Sequence, residues 1–396
     1  MTKRRVIVLA LAAALVLSAF AGCSNSGGTG EKKAEGESKA PYKIGAVLSL
    51  TGTYAGLGQP EKNTLEMERD RVNAAGGING HPVELVIVDD ATDPTKAQQQ
   101  TVKLLDEDKV IAVIGATGTG QTMAMRSDID RAQVPQVSVA GGTAITGQFD
   151  KFVFQTPWSN SIVIPLELNF MASKGAKKIG IISDAGGFGK DGLAVTEAQA
   201  PKSDLTIVAK QTYNAGDTDM SSQLTAIKAA KPDALMVIGA GKEAAMIVKN
   251  AKDLGLDVPV YGTHGNARIE FIQGAGDAAN GFTFAAGKIL LPDTYGKDSE
   301  AYKVATDFID RYTGKFGKAP DTFAGHAYDA FNITVNALKT LPAGFTPTQL
   351  RDAIENTQNF VGIGGTFNYS ASDHNGMNES DLVMYKVENG KWVLAQ

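Results

Sequence analysis

The sequence predicts an α/β protein made of two doubly wound lobes, and three observations support that prediction. From residue 42 onward, short runs of β-branched residues alternate with helical stretches, as in repeated strand–helix–strand units. The alternation restarts after Trp158, so a second lobe follows the first along the chain. The 396 residues suffice for two or three domains, and 44 glycines against 14 prolines fit many tight turns between strands and helices.

The first set of elements comprises four predicted strands and two predicted helices. Several of its strands are apolar almost throughout, which is typical of parallel strands buried on both faces. Asp93 followed by Pro94 predicts a helix start, because aspartate caps a first turn and proline fits its first position. The predicted strands are 43–50, 83–90, 110–115 and 134–139, and the predicted helices are 59–75 and 93–108.

The second set repeats this pattern and then changes character. Its predicted strands are 177–184, 205–210, 233–239, 258–262 and 281–287, and its predicted helices are 160–173, 190–200, 220–230 and 242–254. Beyond Pro292 the chain becomes mostly helical and amphipathic. The helices predicted there are 299–313, 322–341 and 348–355, followed by short strands at 364–369, 382–387 and 392–395.

The N-terminal segment predicts a leader and a tether. Three cations precede an apolar run over 6–22, which is the layout of a secretory signal. Small residues then lead into Cys23, in a pattern that resembles the lipobox of bacterial lipoproteins, where the cysteine is lipidated and becomes the first residue. The residues that follow include no large apolar side chain, so they cannot pack into a core. We predict a signal peptide over 1–22 and a flexible lipid tether over 23–41; a structural cysteine in a transmembrane anchor is the alternative.

Composition and motifs exclude several classes of function. A net charge of −5, from 38 basic and 43 acidic residues, leaves no basic footprint for nucleic acid. One cysteine excludes a disulfide framework and a cysteine-rich metal site. The glycines at 115, 118 and 120 do not have the dinucleotide-binding spacing, and the G-x-S-x-G and H-E-x-x-H motifs do not occur. We expect no catalytic site, metal or cofactor, with an extracytoplasmic hydrolase kept as a minor alternative.

The predicted carboxyl ends of the strands are loops rich in Gly, Thr, Ser and Ala. These loops are 51–58, 115–122, 140–147, 184–189, 239–242 and 263–266. In open α/β sheets, ligands bind outside the carboxyl ends of the strands, so we predict a binding surface there. Of the four histidines, only His264 lies in such a loop. Asp89 and Asp90 are interpreted as loop-capping residues, and His326 and Asp329 as part of a surface or core helix face.

Several segments resemble the periplasmic leucine/isoleucine/valine-binding proteins. They are 43–97, 110–122, 134–142, 184–192, 261–266 and 274–282, and the resemblance extends over 42–396. It implies a type I periplasmic binding fold, in which two doubly wound lobes are joined by three crossover segments around a ligand cleft. The lobes are then expected at 42–157 with 291–380, and at 158–290 with 381–396.

The resemblance also implies which residues contact the ligand. The family holds the ligand carboxylate with a hydroxyl and main-chain N–H groups of the first lobe, between side-chain walls that are usually aromatic. The matching positions are Thr119, Gly120, Gly142 and Thr143 for the carboxylate, Ala140 through its carbonyl, and Leu57, Phe188 and Phe323 for the walls.

Two positions depart from the family pattern. His264 stands where the family places the acid that binds the ligand's α-ammonium, and Ala240 stands where an aromatic residue is frequent. A buried ammonium without a carboxylate partner is costly. Ala240 leaves additional space, so we expect a small carboxylate-bearing ligand that is larger than leucine and has no free ammonium, such as an aromatic or other organic acid. An amino-acid-like ligand, its charge met by Asp184 or Glu243, is the alternative.

Together these features predict a lipid-anchored, extracytoplasmic solute-binding protein. The resemblance implies delivery of the ligand to ABC permease subunits, and we predict a monomer that contacts the membrane through its N-terminal lipid. A ligand-sensing protein that presents its closed form to a membrane receptor is the alternative, because one fold serves both roles.

Overall fold

The computed structural model describes residues 39–148 and 150–396. The predicted signal peptide, the lipidation site at Cys23 and most of the predicted tether lie outside the described residues. Within the described part of the chain, no helix is long and apolar enough to cross a membrane.

The first lobe is built on five parallel strands in the order β2-β1-β3-β4-β5. The strands are β1 (Tyr42–Leu48), β2 (Val83–Asp89), β3 (Ala112–Gly115), β4 (Gln136–Ser138) and β5 (Val153–Gln155). The helices between them are α1 (Ala55–Ala74), α2 (Pro94–Asp106), α3 (Thr119–Ala132) and α4 (Ala144–Gly147). β3, β4 and β5 are buried along their whole length, as expected for parallel strands covered on both faces.

The second lobe is built on seven strands in the order β14-β13-β10-β9-β8-β6-β7. Its helices are α5 (Asn160–Ser173), α6 (Gly187–Gln199), α7 (Ser221–Ala229), α8 (Glu243–Asp253) and α9 (Ile269–Ala275). Its strands are β6 (Lys178–Asp184), β7 (Thr206–Tyr213), β8 (Ala234–Ile238), β9 (Val260–Tyr261), β10 (Thr283–Gly287), β13 (Leu382–Glu388) and β14 (Lys391–Leu394). β6 to β10 pair in parallel, and β13 and β14 add an antiparallel edge.

Three further helices complete the first lobe. They are α10 (Glu300–Phe316), α11 (Thr322–Lys339) and α12 (Pro347–Glu355), followed by the two-stranded ribbon β11 (Phe360–Val361) and β12 (Thr366–Phe367). α11 packs along α1, and its Ala327, Ala330 and Phe331 belong to the core cluster that contains β1.

The chain passes between the lobes three times, after β5, after β10 and before β13. At the first crossing Trp158 is buried, and its ring lies so close to Gly287 at the second crossing that a Cβ there would clash with it. The predicted fold class, two doubly wound lobes with three crossovers, is therefore confirmed. The residue boundaries predicted for the lobes stay a prediction.

Local predictions were right where an apolar period or a cap was present. Asp93 caps α2, accepting a hydrogen bond from the Lys96 N–H at 2.8 Å. The interpretation of 115–122 as one loop was wrong, because α3 begins at Thr119 inside it. Glycine and threonine are weak helix formers, so the first turn of α3 has no sequence pattern of its own, and the helix depends on buried Met125 and Ile129 farther along.

Candidate functional site

A space between the lobes, here called the inner cavity, collects residues from the carboxyl ends of the central strands. Its empty volume, including the part that is open to solvent, is about 340 Å³. Seven of the ten predicted ligand residues line it: Leu57, Thr119, Ala140, Phe188, Ala240, His264 and Phe323. Leu57, Thr119 and Phe188 lie in first turns of helices, not in loops as the sequence predicted.

One end of the inner cavity is the N-terminus of α3. Gly118 caps this helix and, with Thr119, lines the cavity. The N–H groups of a first helical turn have no partner inside the helix and form the positive end of its dipole. The hydroxyl oxygen of Thr119 is buried and has no hydrogen-bond partner in the described chain. This end can therefore hold an anionic group.

Behind the N-terminus of α3, a polar network holds the hydroxyl of Thr117 in place. Thr117 donates from Oγ1 to Glu61 Oε2 at 2.5 Å and accepts from the Ser49 N–H at 3.0 Å. Burial raises the pKa of Glu61 well above its usual value. Thr117 is thus engaged with its own lobe, whereas the hydroxyl of Thr119 stays available to a ligand.

His264 lies in the opposite wall, on the second lobe. It begins a 3₁₀ turn that ends at Asn266, whose side chain donates to the Gly239 carbonyl at 3.1 Å and accepts from the Thr263 N–H at 3.1 Å. The His264 ring packs edge-on against Phe188, with ring centroids 5.3 Å apart. Its Nε2 lies so close to Gly141 of the first lobe that a Cβ there would clash with it.

The environment of His264 is apolar. The ring is 5% exposed, and neither ring nitrogen has a hydrogen-bond partner in the described chain. Burial lowers the pKa of His264 to about 4, so the imidazole is neutral at pH 7. A neutral imidazole offers one donor and one acceptor, but it cannot neutralise an ammonium as a carboxylate does.

A second histidine, His326, also lines the inner cavity, although its sequence position was interpreted only as part of a surface or core helix face. It lies on α11 one turn after Phe323, and its Nδ1 is buried without a partner in the described chain. Burial, and to a smaller extent His264, lowers the pKa of His326 to about 3. The i, i+3 spacing from the predicted wall residue Phe323 is the signal that could have found it.

Asp329, which was interpreted with His326 as part of a surface or core helix face, belongs to the core. It accepts hydrogen bonds from the N–H groups of Ile363 and Gly364, both at 2.7 Å, and burial raises its pKa to about 8. Seven other residues that line the inner cavity were not predicted as ligand contacts: Tyr54, Thr117, Gly118, Val139, Gly141, Pro157 and Gly265.

Gly120, Gly142 and Thr143 lie outside the inner cavity. Gly142 packs against the side chain of Thr119. The Thr143 N–H donates to Asp191 of the second lobe at 2.8 Å, and the Ala144 N–H donates to the other oxygen of that carboxylate at 2.9 Å. Asp191 therefore caps α4 across the cleft and links the two lobes.

Gly120 lines a neighbouring space of about 520 Å³, here called the outer cavity. Tyr54 borders both cavities. Asp184 and Glu243, the alternative partners for a ligand ammonium, line the outer cavity and not the inner one. Beside it the lobes touch through their backbones, since a Cβ on Gly187 would lie 2.5 Å from the nitrogen of Gly120.

Carboxylates elsewhere at the strand ends have the structural role predicted from the sequence. Asp89 accepts from the Leu50 and Ala91 N–H groups at 2.9 and 2.8 Å, and Asp90 accepts from the Thr92 N–H at 2.8 Å. In residues 39–148 and 150–396, no group of three His, Cys, Asp or Glu side chains could hold a metal ion.

Comparison with known proteins agrees with this architecture. A family model for periplasmic binding proteins matches residues 41–391. Leu/Ile/Val-binding protein homolog 3 from Brucella melitensis is 24% identical over 356 residues, which cover 89% of this chain and 93% of that protein.

Two solved structures show the same fold at higher identity. An extracellular ligand-binding receptor from Rhodopseudomonas palustris HaA2 superposes with a TM-score of 0.84 and 30% identity, covering 90% of this chain and all of that one. A branched-chain amino acid transporter substrate-binding protein from Streptococcus pneumoniae, in complex with isoleucine, superposes with a TM-score of 0.79 and 30% identity, covering 89% and 97% of the two chains. The chain therefore belongs to the periplasmic binding protein family of extracytoplasmic solute-binding proteins, among the relatives of the Leu/Ile/Val-binding proteins.

Proposed function

We propose that this protein is the lipid-anchored solute-binding component of an ABC importer. Its ligand is a small carboxylate-bearing molecule without an α-ammonium group, and its acid end is held in the inner cavity. The observation that carries the proposal is the pairing of a free anion-binding end at α3 with a neutral histidine at the opposite wall.

The anion-binding end supports a ligand carboxylate. A carboxylate there accepts from the first-turn N–H groups of α3 and from the free hydroxyl of Thr119. Hydrogen bonds to a charged acceptor are about twice as strong as neutral ones. No lysine or arginine lines the inner cavity in the described chain, so the ligand charge is met by dipoles and a hydroxyl alone.

The opposite wall argues against an α-ammonium. His264 and His326 are the titratable imidazoles that line the inner cavity, both are neutral at pH 7, and Asp and Glu are absent from its described lining. An ammonium enclosed there would lose its water without gaining a carboxylate partner. An aromatic or branched organic acid suits the apolar walls of Leu57, Phe188 and Phe323.

Closure of the two lobes is the event that a permease recognises in this proposal. The inner cavity takes walls from both lobes, so a bound ligand favours the closed form by its differential affinity for that form. Asp191 across the cleft stabilises the same form. Lipidation at Cys23 with two or more acyl chains would keep the monomer at the membrane surface, since one chain holds a protein only marginally.

Matched ligand pairs test this function. The melting temperature of the purified protein is measured with leucine and with 4-methylpentanoate, which is leucine without its ammonium, and with phenylalanine and 3-phenylpropanoate. At about 100 times the dissociation constant a ligand adds roughly 2.7 kcal/mol, which shifts the melt by several degrees. We expect a shift with one or both acids and none with the amino acids.

Thr119→Val provides the control within the site, because it keeps the shape of the side chain and removes the free hydroxyl. The variant should weaken acid binding by at least about tenfold, because a hydrogen bond to a charged group contributes roughly 1.5–3 kcal/mol. A shift with leucine but not with its deaminated analogue would overturn the ligand class. No shift with any acid or amino acid would count against solute binding in the inner cavity.

A further inference from the structure

The outer cavity has an acidic lining that the proposed function does not use. Its two carboxylates come from the second lobe, Asp184 at the end of β6 and Glu243 at the start of α8. They are 8% and 3% exposed. In the described chain, neither forms an ion pair with a lysine, arginine or histidine, although Lys190 acts on Asp184 and the buried Arg268 acts on Glu243 over a longer distance. Two buried carboxylates without a paired cation are unfavourable unless something neutralises them.

Each carboxylate uses one oxygen for the fold and leaves the other free. Asp184 accepts from the Gly186 N–H at 2.8 Å through Oδ1, while its Oδ2 is buried without a partner in the described chain. Glu243 accepts from the Gly216 N–H at 2.8 Å through Oε1, and its Oε2 lies against Gly241, another residue of the cavity lining. The fold therefore provides a hydrogen-bond donor for one oxygen of each carboxylate and none for the other.

Two hydroxyl groups of the same lining are also unused. Tyr213 is 2% exposed, and its hydroxyl has no hydrogen-bond partner in the described chain. The hydroxyl of Thr53, from the first lobe, is likewise buried and unpaired there. Buried polar groups are bonded in the great majority of proteins, so this cluster of unused atoms at one cavity points to a ligand.

The chemistry of these atoms selects an alkylammonium. Its three N–H donors suit carboxylate and hydroxyl oxygens, and two aromatic side chains, Tyr54 and Tyr213, line the same space. A divalent metal is a poor fit, because two carboxylates fall short of the usual oxygen-ligand set. Burial, with a smaller contribution from Glu243, raises the pKa of Asp184 to about 6.

We propose that the outer cavity binds an alkylammonium group between the carboxylates of Asp184 and Glu243 and the hydroxyls of Tyr213 and Thr53. Thr53 belongs to the first lobe and the other three residues to the second. The bound cation therefore contacts both lobes and stabilises the closed form. It is either a separate amine or the distal amino group of a ligand whose acid end lies in the inner cavity, since Tyr54 borders both spaces.

Amine titrations of the full chain test the site. Melting temperature and calorimetric affinity are measured with butylamine hydrochloride, and with sodium chloride at equal ionic strength as the salt control. The variants are Asp184→Asn, whose side-chain oxygen can still accept from Gly186, and Glu243→Gln. Asp204→Asn removes an exposed carboxylate from the same lobe and is the matched control. We expect butylamine to stabilise the protein beyond sodium, and both cavity variants to weaken its binding about tenfold.

Three results would overturn the proposal: equal stabilisation by sodium and butylamine, equal amine affinity in the cavity variants and the control, or no response to an amine of any kind. Using two cavity variants keeps the test decisive if one of them folds poorly.

A second set of probes identifies the source of the cation. Hexanoate, 6-aminohexanoate and butylamine are compared, with chain lengths of four to eight carbons for the amino acids. Additive responses to butylamine and hexanoate support a separate amine, whereas a response to an ω-amino acid that exceeds both, and that Asp184→Asn weakens, supports one ligand that spans the cavities. Amine binding without acid binding would leave the outer site in place and refute the proposed function, and acid binding without any amine response would do the reverse.

Discussion

The inner and outer cavities lie in one cleft and share Tyr54, but they are built for opposite charges. The inner cavity offers a helix N-terminus, a free hydroxyl and two neutral histidines. The outer cavity offers two carboxylates and two unused hydroxyls. Position in the fold thus decides where a ligand binds, while the side chains at each position decide which charge it carries.

The two cavities also depend on the same closed arrangement. Each takes residues from both lobes, and the lobes are held together between them by the Gly120–Gly187 contact and by Asp191. A change at the shared contacts should affect both cavities, whereas a change in one lining should affect that cavity alone. This distinction orders the predictions below.

Gly187→Ala should have the largest effect and should act on both cavities. The new methyl group would lie 2.5 Å from the backbone nitrogen of Gly120, which cannot move aside as a flexible side chain can. Overpacking of this kind costs about 1–3 kcal/mol. Because only the closed form has the clash, the affinity for the acid and for butylamine should fall by about 5- to 150-fold, as measured by calorimetry.

Gly314→Ala is the matched control for this steric change, because nothing lies within 4 Å of a Cβ there. It should leave both affinities unchanged. If Gly187→Ala bound both probes as tightly as the unmodified protein, lobe contact at this point would not be needed for binding.

His264→Glu should act on the inner cavity alone and change its ligand class. It restores a carboxylate at the position where the family places an acid, so an α-ammonium gains a partner. We expect leucine to bind at least about tenfold more tightly to this variant than to His264→Gln, which is uncharged, with the comparison made by calorimetry at pH 7. The response to butylamine should not change. Equal leucine affinity in the two variants would remove His264 from the determinants of specificity.

Much of this arrangement could be predicted from the sequence. The family resemblance was most useful where the same residues also had a strand or helix pattern. The lobes followed from alternating apolar strands and helices, and seven of ten predicted ligand residues line one cavity. The predicted secondary structure was wrong at three of these positions. Leu57, Thr119 and Phe188 were expected in loops and lie in first helical turns. Glycine-rich segments have low intrinsic helix propensity, so tertiary packing determines where these helices begin.

Contacts between distant segments could not be predicted from the sequence, for another reason. Asp191 lies 48 residues from Thr143, and no local spacing relates an aspartate on one lobe to a helix start on the other. His326 was difficult to assign, because a histidine on an apolar helix face has the same sequence pattern in a core as beside a cavity, and only its spacing from Phe323 indicated the cavity. The outer cavity itself exists only once Thr53 and Asp184 are brought together by closure.

Asp191→Asn should weaken both cavities by a smaller factor. The side chain keeps its size but loses a charged acceptor for two N–H groups of the other lobe and for the Asn160 side chain at 2.8 Å. A loss of about 1 kcal/mol is expected, which is about a fivefold decrease in affinity for the acid and for butylamine. The matched control is Asp233→Asn, since Asp233 accepts from the Lys177 and Lys178 N–H groups within one lobe.

The control should lower the melting temperature without changing either affinity, because its bonds are present in the open and closed forms alike. If Asp191→Asn behaved in the same way, its interlobe bonds would contribute to folding and not to the equilibrium between open and closed forms.

The smallest expected effect is a difference in pH response between the cavities from pH 8 to pH 6. Burial lowers the pKa of His264 to about 4, so the imidazole stays neutral over this range and acid binding should change less than about twofold. Asp184 faces Glu243, Tyr54 and Tyr213, with Lys190 near enough to oppose the effect of burial, and its pKa is about 6. At pH 6 about half of the molecules carry it protonated, so butylamine binding should weaken about twofold.

The pH dependence of folding has to be separated from this effect. A carboxyl with a raised folded-state pKa stabilises the fold fully below its unfolded value of 3.8, and that stabilisation is lost as pH rises through about 6. The protein without amine should therefore gain stability from Asp184 on acidification, while the increment from butylamine shrinks. The measurement is the difference in melting temperature with and without butylamine at each pH, and Asp184→Asn should abolish its pH dependence. If the increase in melting temperature caused by butylamine were independent of pH in the unmodified protein as well as in Asp184→Asn, the charge of Asp184 would not contribute to amine binding.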